Sequence, residues 1–244
     1  LAGALALLAT PIGVVIGAAF GKVIASFEQR KQEITAQLNS AADLLGLEIS
    51  QIDGLLDEVT ALVEYPEVLV GEFDVKFLQV PQECLILSMA KNQKYFALLN
   101  NQGKLQNKFL FVANLKSNQP DIIVDGNQKV LTARLADAEF FYNFDKRTTL
   151  QDFVPKMASV VYHNKLGSQL ERIERLQQIS SEVALLLNVD TSLARRTAYL
   201  LKADLLTEMV GEFPELQGVM GNYYAIASGE PADVANAIEK HYYP

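Results

Sequence analysis

Of the 244 residues, one is cysteine, two are histidine and none is tryptophan. The lone Cys84 excludes an internal disulfide framework and any zinc site built on cysteine pairs. A reducing, cytoplasmic setting is the simple inference. Cys84 lies in the apolar run Pro81-Gln82-Glu83-Cys84-Leu85-Ile86-Leu87, where it reads as core filler rather than a nucleophile. A Walker loop, a dinucleotide fingerprint, a nucleophile elbow and a zinc pair are all missing from the sequence. Charge is missing from residues 1–21, which resemble a membrane or signal segment at first sight. Gly3, Pro11, Gly13, Gly17 and Gly21 interrupt the run, alanine dominates it, and no basic region precedes it. A buried or loosely ordered leader is expected there. The chain starts at Leu1 and stops at Pro244 just after a helical pattern, so it reads as a fragment of something longer.

What is present is enough apolar material for a core. Half of the residues are hydrophobic, which argues against global disorder, and the length suits two domains better than one. The net charge of −8 is unevenly spread. Residues 1–87 hold 4 Lys/Arg against 12 Asp/Glu, residues 88–202 hold 16 against 10, and residues 203–244 hold 1 against 7. One basic stretch is bracketed by two acidic ones. Phosphate recognition needs local cation density rather than a basic whole, so RNA binding and a merely solvated surface both fit the charge.

Periodicity predicts a helix over Val23–Leu45 with a stop at Gly46, and a short one over Gln51–Val63 that ends before Tyr65-Pro66. Val68-Leu69-Val70, Lys94–Leu99 and Phe109–Ala113 are β-like, and Asn100-Asn101-Gln102-Gly103-Lys104 joins the last two as a hairpin. Helices are expected at Gln82–Ala90 and Asp121–Phe144. From Leu150 onward the pattern is helical throughout: Leu166–Leu187, Ser192–Val210 with Thr191 or Ser192 as N-cap, and Asp233–Tyr242. The fold class is therefore α+β, a mixed helix/strand half followed by an all-helical one. The expected divisions are a leader over 1–21, an α+β domain over 22–150 and a helical domain over 151–244, with the change falling near residues 146–165.

Two stretches carry candidate chemistry. In Lys91-Asn92-Gln93-Lys94-Tyr95-Phe96, cations adjoin flat rings that could stack on a base, or the strand could bury Tyr95 and Phe96 while the lysines stay wet. In Gly126–Phe141, Gly126 is expected to mark a kink or a tight start of the helix. Lys129, Arg134 and Asp137 recur at helical spacing, with Arg134 and Asp137 placed to pair.

These stretches belong to a longer series. Leu56–Pro66, Phe77–Glu83, Gln93-Lys94-Tyr95-Phe96, Gly126-Asn127 with Arg134–Phe141, Lys165-Leu166-Gly167-Ser168, Leu201–Gly221 and Tyr224-Ala225 follow in one order and spacing. In that series the chain resembles bacterial glycyl-tRNA synthetase β subunits over about residues 22–244. Residues 1–21 do not look like that family, Asn92 stands where many relatives carry histidine, and the family's anticodon-binding region is expected beyond Pro244. The resemblance implies a noncatalytic part of a complex of two α and two β chains that uses ATP to join glycine to tRNA(Gly). The separate α subunit would hold ATP, Mg and the class II signature residues. This chain would bind the tRNA and the α subunit, with Lys91, Lys94, Tyr95, Lys129 and Arg134 as the expected tRNA contacts, and with neither a catalytic residue nor a cofactor of its own.

In this family the helical half is similar to a degenerate HD phosphohydrolase fold. Such enzymes need several His and Asp ligands to hold a water-activating metal. Here only His163 and His241 are available, and Lys202-Ala203-Asp204 stands where a His-Asp pair would be expected. Asp204, Glu208 and Glu212 would share one helix face, read here as a structural carboxylate stripe on a lost metal site. A metal-dependent phosphohydrolase and a purely structural scaffold for the α subunit are the competing readings.

Overall fold

The structure, a computed structural model, describes residues 23–243; the leader expected over 1–21 lies outside the described residues. The chain forms two compact units, the first ending at Leu135 and the second beginning at Ala136, within one long helix. Among the described residues no helix is long and apolar enough to cross a membrane.

In the first unit, α1 (Phe27–Leu45) starts where Ser26 Oγ accepts the Gln29 amide. It ends where Gly46 turns left-handed at φ 64° and donates back to Asp43 O. Ile34, Leu38 and Ala42 repeat every fourth residue, so one stripe of the helix is buried. α2 (Leu55–Leu62) packs against it and stops at the extended Val63, ahead of Pro66. Four antiparallel strands, β1 (Glu48–Ile49), β2 (Glu67–Glu72), β3 (Phe96–Leu99) and β4 (Leu105–Ala113), lie in the order β1-β3-β4-β2. The β3–β4 hairpin closes as the sequence predicts. Asn100 Oδ1 accepts the Gln102 and Lys104 amides, both at 2.9 Å, and Gly103 supplies φ 71°. The two-residue β1 carries no periodicity and was not expected.

Two helices support this sheet. α3 (Gln82–Gln93) leads into β3, and Gln82 Oε1 accepts the Leu105 amide at 3.0 Å. α4 (Pro120–Asp145) opens on a proline, which fits a first helical turn because the missing N–H has no partner there. Gly126 lies inside α4 with open space around it, so it is not the start of the helix. The neighbouring amides make the attachment instead: Asn127 Oδ1 accepts from Tyr95 Oη at 2.5 Å, and Gln128 Oε1 from the Glu72 amide at 2.7 Å.

The second unit is mainly helical, with one exception to the all-helical expectation. After the short α5 (Leu150–Phe153), β5 (Val161–His163) and β6 (Gly167–Ser168) make a short hairpin ahead of α6 (Gln169–Leu186). Ser168 and Glu171 form a reciprocal capping box there, and a side chain at Gly167 (φ 86°) would collide with the Glu171 carboxylate. The cap of α7 (Thr191–Leu200) is Asp190, not Thr191 or Ser192, because its carboxylate accepts the Ser192 and Leu193 amides.

The single helix expected over Ser192–Val210 is three pieces: α7, a 3-10 turn (Ala203–Leu206) and α8 (Glu208–Glu212). The break sits at the extended Thr207, whose Oγ1 accepts the Val210 amide while buried Asp145 accepts the Glu208 and Met209 amides at 2.9 and 3.1 Å. Those acceptors start a new helix. α9 (Val219–Ala227), also not expected, packs against α10 (Ala232–Lys240), and Tyr224 Oη of α9 donates to Asp145 at 2.7 Å.

Two substitutions test these joints. A Cβ at Gly71 of β2 would be driven into the ring of Phe109 across the sheet. Gly71→Ala should lower stability by about 1–3 kcal/mol, read from urea unfolding. Asp145→Ala orphans two peptide N–H groups and a phenol together, and should cost about 3 kcal/mol in the same measurement.

Candidate nucleic-acid interface and the buried charge cluster

The cationic corner of the first unit begins at the end of α3. Lys94 occupies the left-handed C-cap position at φ 60°, with its amide bonded to Ala90 O and the Tyr95 amide bonded to Met89 O. Glycine usually takes that place, because a Cβ costs roughly 1 kcal/mol there. The lysine side chain has work of its own: Nζ lies 2.8 Å from Glu58 and donates to Lys91 O at 3.0 Å. Tyr95 is 6% exposed and stacks on Phe109 at 4.8 Å. Burial pushes its phenol up to about 12. The reading in which Tyr95 offers a face to a base is corrected accordingly: its ring belongs to the core, and its hydroxyl ties β3 to α4.

Lys91, Lys129 and Arg134 are exposed. The structure does not put all of them on one face. At 100° per residue, Arg134 lies about 20° from Asn127 around α4, whereas Lys129 lies about 160° from it. Asn127 is the residue bonded to Tyr95 beside the α3 end, so Lys129 points the other way, where it pairs with Asp125 at 2.6 Å. Lys91 and Lys94 lie at the α3 end, while Arg134 shares the Asn127 side of α4 on the order of 10 Å farther along the helix.

The second unit holds a cluster that sequence spacing did not resolve. Asp204 is fully buried; Oδ2 accepts the Gly218 amide at 2.6 Å and the Gly221 amide at 3.2 Å, while Oδ1 has no partner. Gly218 needs φ 83°, and a Cβ at Gly221 would meet Ile238 Cγ2 at 2.6 Å. Lys202 is 6% exposed, with Nζ 2.6 Å from His241 Nε2 and 3.8 Å from the Tyr242 ring centre. His241 Nδ1 faces Ile238 O at 2.5 Å, which fits a proton on Nδ1 and a free lone pair on Nε2 for the ammonium.

Burial sets the electrostatics of this cluster. It raises Asp204 to about 6 against the opposing pull of the two glycine amides and Lys202. It lowers Lys202 to about 8, helped by Arg172, and it lowers His241. The carboxylate stripe over Asp204, Glu208 and Glu212 does not exist. Thr207 breaks the helix, Asp204 is interior, and Glu208 and Glu212 are exposed. His163 sits on the exposed β5 with Nδ1 accepting the Lys165 amide at 3.1 Å. Among the described residues no three His, Cys, Asp or Glu side chains converge as a metal site. Lys202 supplies the positive charge that attracts Asp204.

The class is that of an antiparallel-sheet unit followed by a mainly helical unit, the second holding two buried aspartates and a buried lysine. Within that class the chain belongs to the glycyl-tRNA synthetase beta subunit family, whose pattern matches residues 18–244, starting four residues earlier than the motif series implies. It is 58% identical over 224 residues to the glycine–tRNA ligase beta subunit of Neisseria meningitidis serogroup C / serotype 2a, covering 92% of this chain and 33% of that protein. The same-named subunits of Aromatoleum aromaticum and of a Janthinobacterium species are each 54% identical, covering 92% of this chain and 32% of theirs. The chain thus spans about a third of the length of the curated relatives it matches.

Asp204 provides a pH test. Its folded value of about 6 lies above the ordinary 3.8, so native protein holds the extra proton between those values and stability falls as pH rises through that window. Asp204→Asn keeps a carbonyl for the two glycine amides and removes the titration. The stability of the variant relative to wild type should therefore rise between about pH 4 and pH 6 in parallel urea titrations. A constant difference across that window would detach the slope from Asp204.

Proposed function

We propose that this chain is the part of a glycine–tRNA ligase β subunit that binds tRNA(Gly) and holds the α subunit, while the α subunit joins glycine to the tRNA with ATP and Mg. The assembly is two α and two β chains in the cytoplasm, and the helical unit is a degenerate HD-type fold whose metal position is filled by an internal ammonium. Family membership supports the assignment to the ligase. The observation that supports the tRNA reading is the Tyr95–Asn127 bond at 2.5 Å, which ties the segment following Lys91 and Lys94 to the helix that carries Arg134. Positioning is the contribution to catalysis: a misplaced acceptor end would slow transfer even with an intact α subunit.

A phosphate-binding surface of this kind is read by salt. Lys91→Glu with Arg134→Glu, introduced into the α–β complex, should weaken tRNA(Gly) binding about tenfold or more and flatten the plot of log affinity against log salt by about 1–2 units. Lys129→Glu, on the opposite side of α4, should change the affinity by less than about threefold. Unchanged glycylation and an unchanged salt slope in the double variant would remove this corner from the tRNA surface.

A further inference from the structure

Residues 32–75 contain ten Asp or Glu and not one Lys or Arg. This stretch folds around a cleft of about 610 Å³ in the first unit, between α1, β1 and α2. Its floor is apolar, made by Leu38, Ala42, Leu55 and Phe96, all buried core residues. Its rim carries Asp43 and Glu48, both exposed and without an ion-pair partner among the described residues. No cation lines it. Elsewhere in the same stretch the excess acid is partly neutralised: Asp57 pairs with Lys31, Glu58 with Lys94 and Glu72 with Lys108. At the cleft it is left bare.

One wall of the cleft is backbone. Among the described residues β1 is an edge strand whose only neighbour is β3. The Ser50 amide donates to Ala97 O at 2.9 Å, and Ile49 lies opposite Leu98. In an antiparallel pair the bonded and non-bonded positions alternate, so the N–H and C=O of Ile49 face away from β3. Ile49 lines the cleft. Apolar floor, anionic rim and an open edge residue call for three things together: an apolar side chain, a flanking cation and an extended backbone.

The geometry points to this cleft as a docking site for an extended segment of a partner protein in which lysine or arginine alternates with apolar residues. The segment lies along β1, exchanges hydrogen bonds with Ile49, places an apolar side chain on Leu38 and Phe96, and sets its cations against Asp43 and Glu48. Charge complementarity selects the partner: an acidic or uncharged segment would leave the two carboxylates unmatched, and RNA phosphate would be repelled by them.

The test uses this chain and three fluorescein-labelled hexapeptides, alternating Lys-Val, Lys-Ser and Glu-Val, in anisotropy titrations. Lys-Val should bind at least about tenfold more tightly than either other peptide, and N-methylation of its valine amides should weaken it at least about fivefold. D43K/E48K should weaken Lys-Val binding about tenfold or more, with the far-ultraviolet circular dichroism unchanged because both side chains are exposed. E174K/E182K makes the same charge change on exposed positions of α6 and should alter binding less than about twofold. Equal binding of Lys-Ser, equal losses from the two charge reversals, or no saturable binding of Lys-Val would each overturn the proposal.

Discussion

A backbone N–H turned away from its own helix or strand must find another acceptor, and at several joints this chain meets that demand with amide and carboxylate side chains from distant segments. β2 is the clearest case. As an edge strand it has amides that β4 cannot receive. Gln37 of α1 takes the Val68 amide at 2.9 Å and Gln128 of α4 takes the Glu72 amide at 2.7 Å. Asn114 takes both the Glu64 and Tyr65 amides just before that strand, at 2.8 and 2.9 Å. The Gln37 and Gln128 bonds each remove a sheet amide that could pair with a foreign strand, and fix a helix to the sheet at the same time.

In the second unit carboxylates do the same work at higher stakes, because they are buried. A buried anion is tolerable only when several donors converge on it. Asp145 has two amides and a tyrosine hydroxyl. Asp204 has two amides on one oxygen and none among the described residues on the other, and burial pushes its pKa to about 6 against the pull of those amides. Several family motifs acquire a physical meaning here. Lys202-Ala203-Asp204 and Gly218–Gly221 are two halves of one buried cluster, Gly167-Ser168 is a hairpin and capping box, and Gly126-Asn127-Gln128 is an anchor of α4.

What the sequence disclosed follows from the kind of signal each element carries. α1 was legible because its apolar stripe and Gly46 stop lie within one local pattern, and the β3–β4 hairpin because Asn100 and Gly103 specify their own turn. β1 and the β5–β6 pair are too short to show alternation. α9 is apolar nearly all round, so it lacks the polar face that makes a helix periodic. The continuous helix read over Ser192–Val210 failed for a long-range reason. The apolar spacing does persist, but Asp145, more than sixty residues upstream, accepts the amides that a continued helix would have bonded. Ser168-x-x-Glu171 was a readable capping signal that the helix prediction passed over. Tyr95 shows the limit for the site itself: a ring beside lysines looks the same in sequence whether it faces solvent or Phe109.

The acidic total is compatible with a cationic face because charges in salt water act locally. At physiological ionic strength the screening length is about 8 Å, so a ligand at the α3–α4 corner responds to the few charges around it rather than to the sum of −8. Within the first unit the two signs are also kept apart in sequence. Residues 32–75 supply only carboxylates, and Lys31, Lys94 and Lys108 reach in from outside that stretch to neutralise three of them. Lys94 shows the consequence: its pairing with Glu58 offsets its charge locally while it occupies the left-handed cap.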